Sequence, residues 1–178
     1  MFKEYLEDLK ITMEKVDLEK LNRIIKILKE AYEDNKRVFI FGNGGSCATA
    51  SHFAEDLSKG CINKRFRIIS LTDNIPLITA WANDKGYEYI FSEQLESLME
   101  EGDVVIGISG SGNSENVLNG IKFGNSKGTT IGLTGFDGGK LKGICNECLI
   151  VPMEHMGKVE DIHLIIAHMI VYYFMENE

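Results

Sequence analysis

Proline is scarce: Pro76 and Pro152 are the only two in 178 residues, and no low-complexity stretch or internal repeat accompanies them. Proline-rich linkers and repeat arrays are therefore excluded, and one domain spanning residues 1–178 is expected. Long apolar runs are missing as well. Nothing approaches the roughly 18 consecutive apolar residues of a membrane-spanning helix. The opening MFKEYLEDLKITMEK carries acids throughout, unlike a signal peptide. A cytoplasmic protein with no membrane partner is expected. Positive charge is also short, with 19 Lys and Arg against 27 Asp and Glu for a net charge of -8, which leaves no basic field for nucleic acid. The four cysteines (Cys47, Cys61, Cys145, Cys148) are too few and too unevenly placed for a disulfide framework. Cys145 and Cys148, in CNEC, form half of a zinc-binding pattern whose other half is absent.

What is present is a hydrophobic content of 44%, enough for a real core at this length. Residues 3–35 place Leu6, Leu9, Met13 and Val16, then Leu21, Ile24, Leu28 and Ala31, at helical spacing with a phase slip near Asp17. One bent helix or two successive ones fit. From residue 36 the pattern alternates strands with helices. RVFIF, FRIISL, DVVIGI, TTIGLT and CLIVP read as five strands, with helices expected near 46–59, 76–82, 88–99, 114–127, 138–144 and 158–175. The first, third and fourth strands are apolar throughout, as parallel strands covered on both faces must be. The expected fold is α/β: a doubly wound, flavodoxin-like five-stranded parallel sheet (36–178) with an N-terminal helical extension (1–35). Such sheets bind ligands beyond the carboxyl ends of their strands, where strand order reverses.

Two strand ends carry unusual loops, GNGGS (42–46) and SGSGNS (109–114). Glycine permits positive φ and close approach of backbone N–H groups, and each loop feeds a helix whose first N–H groups lack internal partners. A phosphate fits there, with Ser109, Ser111 and Ser114 adding hydroxyls. Ser46 reads either as a further donor or as a helix N-cap. Neither loop is a Walker or GxGxxG motif. Oriented backbone dipoles act locally, so an acidic protein can still hold an anion.

His52 and Asp56, four residues apart, share one face of the helix beyond the first loop. They can bind a metal, act as acid and base, or be a solvated surface pair. Glu160, His163 and His168 stand out in KVEDIHLIIAHMIVYYF. On a continuous helix Glu160 and His168 are separated by about 12 Å of rise. One chain can then bring both to a single ion only if the helix start is unwound; otherwise different subunits must supply them.

In order and spacing, GNGGS, SHFAEDL, LTDN followed by ANDKGYEYIFSEQLESL, GDVVIGISGSGNSENVL, IGLTGFDGGKL and KVEDIHLIIAHMI resemble the SIS-domain sugar isomerases, and within them the sedoheptulose 7-phosphate (phosphoheptose) isomerases. The resemblance covers about residues 38–170. It implies an enediol aldose–ketose isomerase, commonly zinc-dependent, assembled as a homotetramer with sites at subunit interfaces. By position it implies a substrate site of Asn43, Gly44, Gly45, Ser46, Asn83, Asp84, Ser109, Gly110, Ser111 and Ser114. It also implies metal ligation by His52, Asp56, Glu160 and His168, with Asp56, Glu160 and His168 as acid–base candidates. Three positions depart from the family pattern. Asp56 stands for a glutamate, Glu160 for a glutamine, and Gly110 for a hydroxyl residue. A non-catalytic, sugar-phosphate-binding regulator or scaffold of the same fold is the alternative.

Overall fold

The computed structural model describes residues 1–60 and 65–177; Cys61 lies outside them. Five strands, β1 (Arg37–Gly42), β2 (Arg67–Ser70), β3 (Val104–Ser109), β4 (Thr129–Gly135) and β5 (Glu147–Val151), form one sheet in the order β2-β1-β3-β4-β5, with every pairing parallel. Strand order reverses between β1 and β3, whose register runs from Val38 opposite Val104 to Gly42 opposite Ile108. The two glycine-rich loops leave the sheet side by side at that point, where a doubly wound sheet places its ligand.

Among the described residues there are seven helices: α1 (Phe2–Met13), α2 (Leu18–Glu33), α3 (Gly45–Lys59), α4 (Ile75–Asp84), α5 (Ser92–Leu98), α6 (Glu115–Gly124) and α7 (Met156–Glu176). On one face α2, α3 and α7 bury Leu28, Phe53, Leu57, Ile162 and Ile166 against Val38, Ile40 and Ile106. On the other, α5 and α6 bury Leu95, Val117 and Ile121 against Phe39, Phe41 and Val105. The alternation of β1 side chains between these two cores is why RVFIF is apolar without a break. Each large side chain so buried contributes about 1.5–3 kcal/mol. Among the described residues no helix is long and apolar enough to cross a membrane.

The phase slip near Asp17 is a true break. Asp17 caps α2, its carboxylate accepting from the Lys20 N–H at 3.0 Å, and two helices result. Two expected helices are shorter than their patterns suggested. Residues 88–99 divide into a 3-10 turn at Tyr87–Tyr89 and α5. Of 138–144 only a 3-10 turn at Leu141–Gly143 forms, because Gly138 and Gly139 take positive φ of 92° and 52°, outside the right-handed helical region.

Candidate active site

Backbone conformation builds the first loop. Gly44, at φ 57°, turns the chain from β1 into α3 and is itself the N-cap, so the cap residue has no side chain to bond the first N–H groups of that helix. Ser46 is therefore not the cap; it lies in the first turn, 5% exposed. In the second loop Ser114 is the N-cap of α6 yet makes no side-chain cap bond. Its hydroxyl instead accepts from Ser109 Oγ at 3.1 Å, which leaves the Ser114 proton and the N–H groups of Glu115 and Asn116 to a ligand, while the Val117 N–H is taken by Asn116 Oδ1.

A cavity of about 210 Å³ opens between the loops, lined by Asn43, Ser46, Ile108, Ser109, Gly110, Ser111, Ser114, Met156 and Glu160. Most of the expected substrate residues converge here. Gly44 and Gly45 form the adjoining start of α3, and Gly45 lines a second cavity of about 230 Å³ with Ala48, Thr49, His52, Glu160, Asp161 and Leu164. Glu160 is common to both. A Cβ on Gly45 would stand 2.6 Å from the Glu160 carboxylate, so this glycine is what admits an acid to the N-terminus of α3, where the helix dipole favours a negative charge. Asn83 and Asp84 are placed apart from these cavities. They sit at the exposed end of α4, with Asn83 Nδ2 donating to Asp84 Oδ1 at 2.9 Å.

Further along α3 the i, i+4 pair meets α7. Asp56 Oδ2 lies 3.5 Å from His52 Nε2 and 3.7 Å from His168 Nε2, and the two imidazoles pack edge to face at 5.0 Å. One donor atom from each of the three residues falls within 4.8 Å of the others, a set that fits a divalent cation with nitrogen and carboxylate ligands. The shorter aspartate still reaches both histidines. Glu160 is not in this group. Because α7 is helical without interruption from Met156, a rise of about 12 Å separates Glu160 from His168, and the unwound helix start considered above is absent.

His163, between them in sequence, faces the sheet instead. It is wholly buried, and burial holds its pKa down at about 4 against a weak opposing pull from the Thr134 backbone. Cys145 and Cys148 are free thiols away from both cavities.

Several site residues escaped the sequence reading. Met156 covers the place of the missing hydroxyl, since a Cβ on Gly110 would lie 2.3 Å from its sulfur. Tyr5 of α1 bonds Asp161 and Lys158 pairs with Asp8, tying α1 to the first turns of α7 beside Glu160. Asn116 lies under Asn43. Asn116 gave no signal, being one polar residue among Asn113, Ser114 and Glu115 at the start of α6, and tertiary contacts of α1 leave none.

Fold and loops define a doubly wound α/β protein whose two glycine-rich loops meet at the switch point of the sheet. Comparison with known proteins narrows that class. Residues 2–135 match the family described as SIS domain. A probable phosphoheptose isomerase of Thermoplasma acidophilum is 40% identical over 171 residues, covering 94% of each chain. A phosphoheptose isomerase of Aliarcobacter butzleri is 39% identical over 163 residues, covering 90% of this chain and 86% of the other. The solved phosphoheptose isomerase of Neisseria gonorrhoeae superposes with a TM-score of 0.90 at 30% identity, over 97% of this chain and 94% of that one. The chain belongs to the SIS domain family and, within it, to the phosphoheptose isomerases.

Proposed function

We propose that this protein is an aldose–ketose isomerase that interconverts sedoheptulose 7-phosphate and D-glycero-D-manno-heptose 7-phosphate. The observation that carries the reading is the adjacency of the β1 and β3 ends, with Gly42 opposite Ile108, which sets the first turns of α3 and α6 and four serines around one cavity. That is chemistry for a phosphate monoester. The non-catalytic alternative is not favoured, because acid–base groups lie beside the cradle and the compared relatives are named isomerases.

The ketose-to-aldose direction breaks the C1–H bond, gives an enediol, forms a C2–H bond, and moves a proton from the C1 hydroxyl to the C2 oxygen. A base must take the carbon-bound proton while an acid protonates oxygen as negative charge develops. Glu160 is our candidate base, since its carboxylate borders both cavities and a sugar anchored by phosphate in one would extend past it toward His52 in the other. His168, through the ring nitrogen that it does not lend to a metal, is our candidate acid, with Asp56 beside it. The separation of Glu160 from His168 on α7 supports a site completed across a subunit interface. Exposed Phe2 and Leu6 on α1, and Ile165 and Tyr172 on α7, are apolar surface of the kind subunit contacts cover. We therefore extend the proposal to a cytoplasmic homotetramer of single-domain chains.

His52, Asp56 and His168 would hold a zinc ion, which when bound supplies Lewis-acid polarisation of the substrate oxygens. Calorimetric titration of zinc into the wild type, His52→Ala and Asp56→Asn tests this without recourse to activity. Tight binding in the wild type, weakened at least about 10-fold in each variant, is expected; equal affinity in all three would remove the assignment. For the reaction, isomerisation is to be measured in His168→Ala and Glu160→Gln. Losses of about 100-fold or more in kcat are expected, and full activity in both would refute the proposed pair.

A further inference from the structure

A side-chain amide has four hydrogen-bonding positions, two N–H donors and two lone pairs on oxygen, and at Asn43 three of them are taken within the protein. The polarity of the arrangement is set by the main chain. The Val117 N–H donates to Asn116 Oδ1 at 2.9 Å, and a backbone N–H can only donate, so the oxygen end of the Asn116 amide is fixed. Its Nδ2 then donates to Asn43 Oδ1 at 2.8 Å, and Asn43 Nδ2 donates back to Asn116 Oδ1 at 2.8 Å. Tyr87 donates its hydroxyl to Asn43 Oδ1 at 2.9 Å. Both lone pairs of Asn43 and one of its N–H groups are thereby used, leaving a single N–H. Asn116 is 2% exposed, so water does not compete for the pair that it forms. Asn43 lines the cradle cavity and also a neighbouring cavity of about 270 Å³, in which Tyr87 stands among Ile75, Ile78 and Phe91.

We infer that Asn116 and Tyr87 are positioning residues that lock the Asn43 amide so that its remaining N–H donates to an oxygen of the bound phosphosugar. The ligand class rests on the proposed isomerase reading; the lock rests on the hydrogen bonds alone. It makes Asn43 a donor that selects for an oxygen lone pair and disfavours a ligand that presents a hydrogen-bond donor at that point.

Tyr87→Phe is the decisive variant, because Tyr87 is 55% exposed and removal of its hydroxyl leaves the core intact. Side-chain amide resonances of Asn43, assigned by 15N NMR through Asn43→Ser, are expected to move in Tyr87→Phe. The KM for sedoheptulose 7-phosphate is expected to rise about 3- to 10-fold, with kcat within about twofold. Asn116→Asp, which keeps the acceptor for Val117 but presents no donor to Asn43, is expected to raise KM further. Titration with inorganic phosphate and with sedoheptulose 7-phosphate tells which oxygen is met: a shift of the Asn43 amide with both assigns the phosphate, and with the sugar phosphate alone a sugar oxygen. Unchanged Asn43 resonances and unchanged KM in Tyr87→Phe would overturn the inference. Should the wild type turn over no ketose phosphate, the isomerase reading falls, and the Asn43 resonances in Tyr87→Phe still decide the lock.

Discussion

At Gly45 one added methyl group would occupy the space in which the Glu160 carboxylate now rests, 2.6 Å away. Gly45 is exposed, and the group it would strike is the end of a flexible side chain, so the collision is relieved by moving the acid and not by unfolding. Gly45→Ala is accordingly expected to lower kcat about 10- to 100-fold while Tm, read by calorimetry, falls by no more than a few degrees. Wild-type kcat in Gly45→Ala would show that the position of Glu160 does not matter to turnover. Asp56 makes the complementary case, since its shorter side chain already reaches both His52 and His168. Such details were only partly legible in the sequence. The spacing of His52 and Asp56 placed them on one face, but the arrival of His168 beside them and of Glu160 beside Gly45 depends on how α7 packs across α3.

Among the elements, α2 shows how much local chemistry dictates. Asp17 ends the first helical phase and begins the second by capping it. Asp17→Ala is expected to cost about 1 kcal/mol of stability, measurable as a lower urea midpoint at unchanged m-value; an unchanged midpoint would show the cap to be idle. Strands and the doubly wound order were legible for the same kind of reason, because uninterrupted apolar runs such as RVFIF need cover on both faces. The expected helix over 138–144 failed at Gly138 and Gly139, whose positive φ no apolar periodicity reveals. Similarly, the pattern over 88–99 hid the 3-10 turn that carries Tyr87 to Asn43. The continuity of α7 removes the unwound start and leaves, of the two routes to a single ion for Glu160 and His168, only their supply by different subunits.

For the whole molecule, His163 couples folding to pH. Its pKa is about 4 in the folded state and near 6.5 when unfolded, so between those values the unfolded chain binds the extra proton. The contribution of the neutral ring is fully present above pH 6.5 and is lost as pH falls toward 4, to a total of about 3 kcal/mol. Urea unfolding across that window should show this loss, and His163→Leu should flatten it relative to the wild type; parallel profiles would exclude His163 as the source. The central claim is the chemistry at the switch point, and proton NMR of sedoheptulose 7-phosphate incubated with the purified protein addresses it most directly. Anomeric signals of D-glycero-D-manno-heptose 7-phosphate should grow until ketose and aldose reach equilibrium, and should do so far more slowly with Glu160→Gln. A spectrum that stays that of the ketose alone, with folded wild-type protein and zinc supplied, would contradict the account.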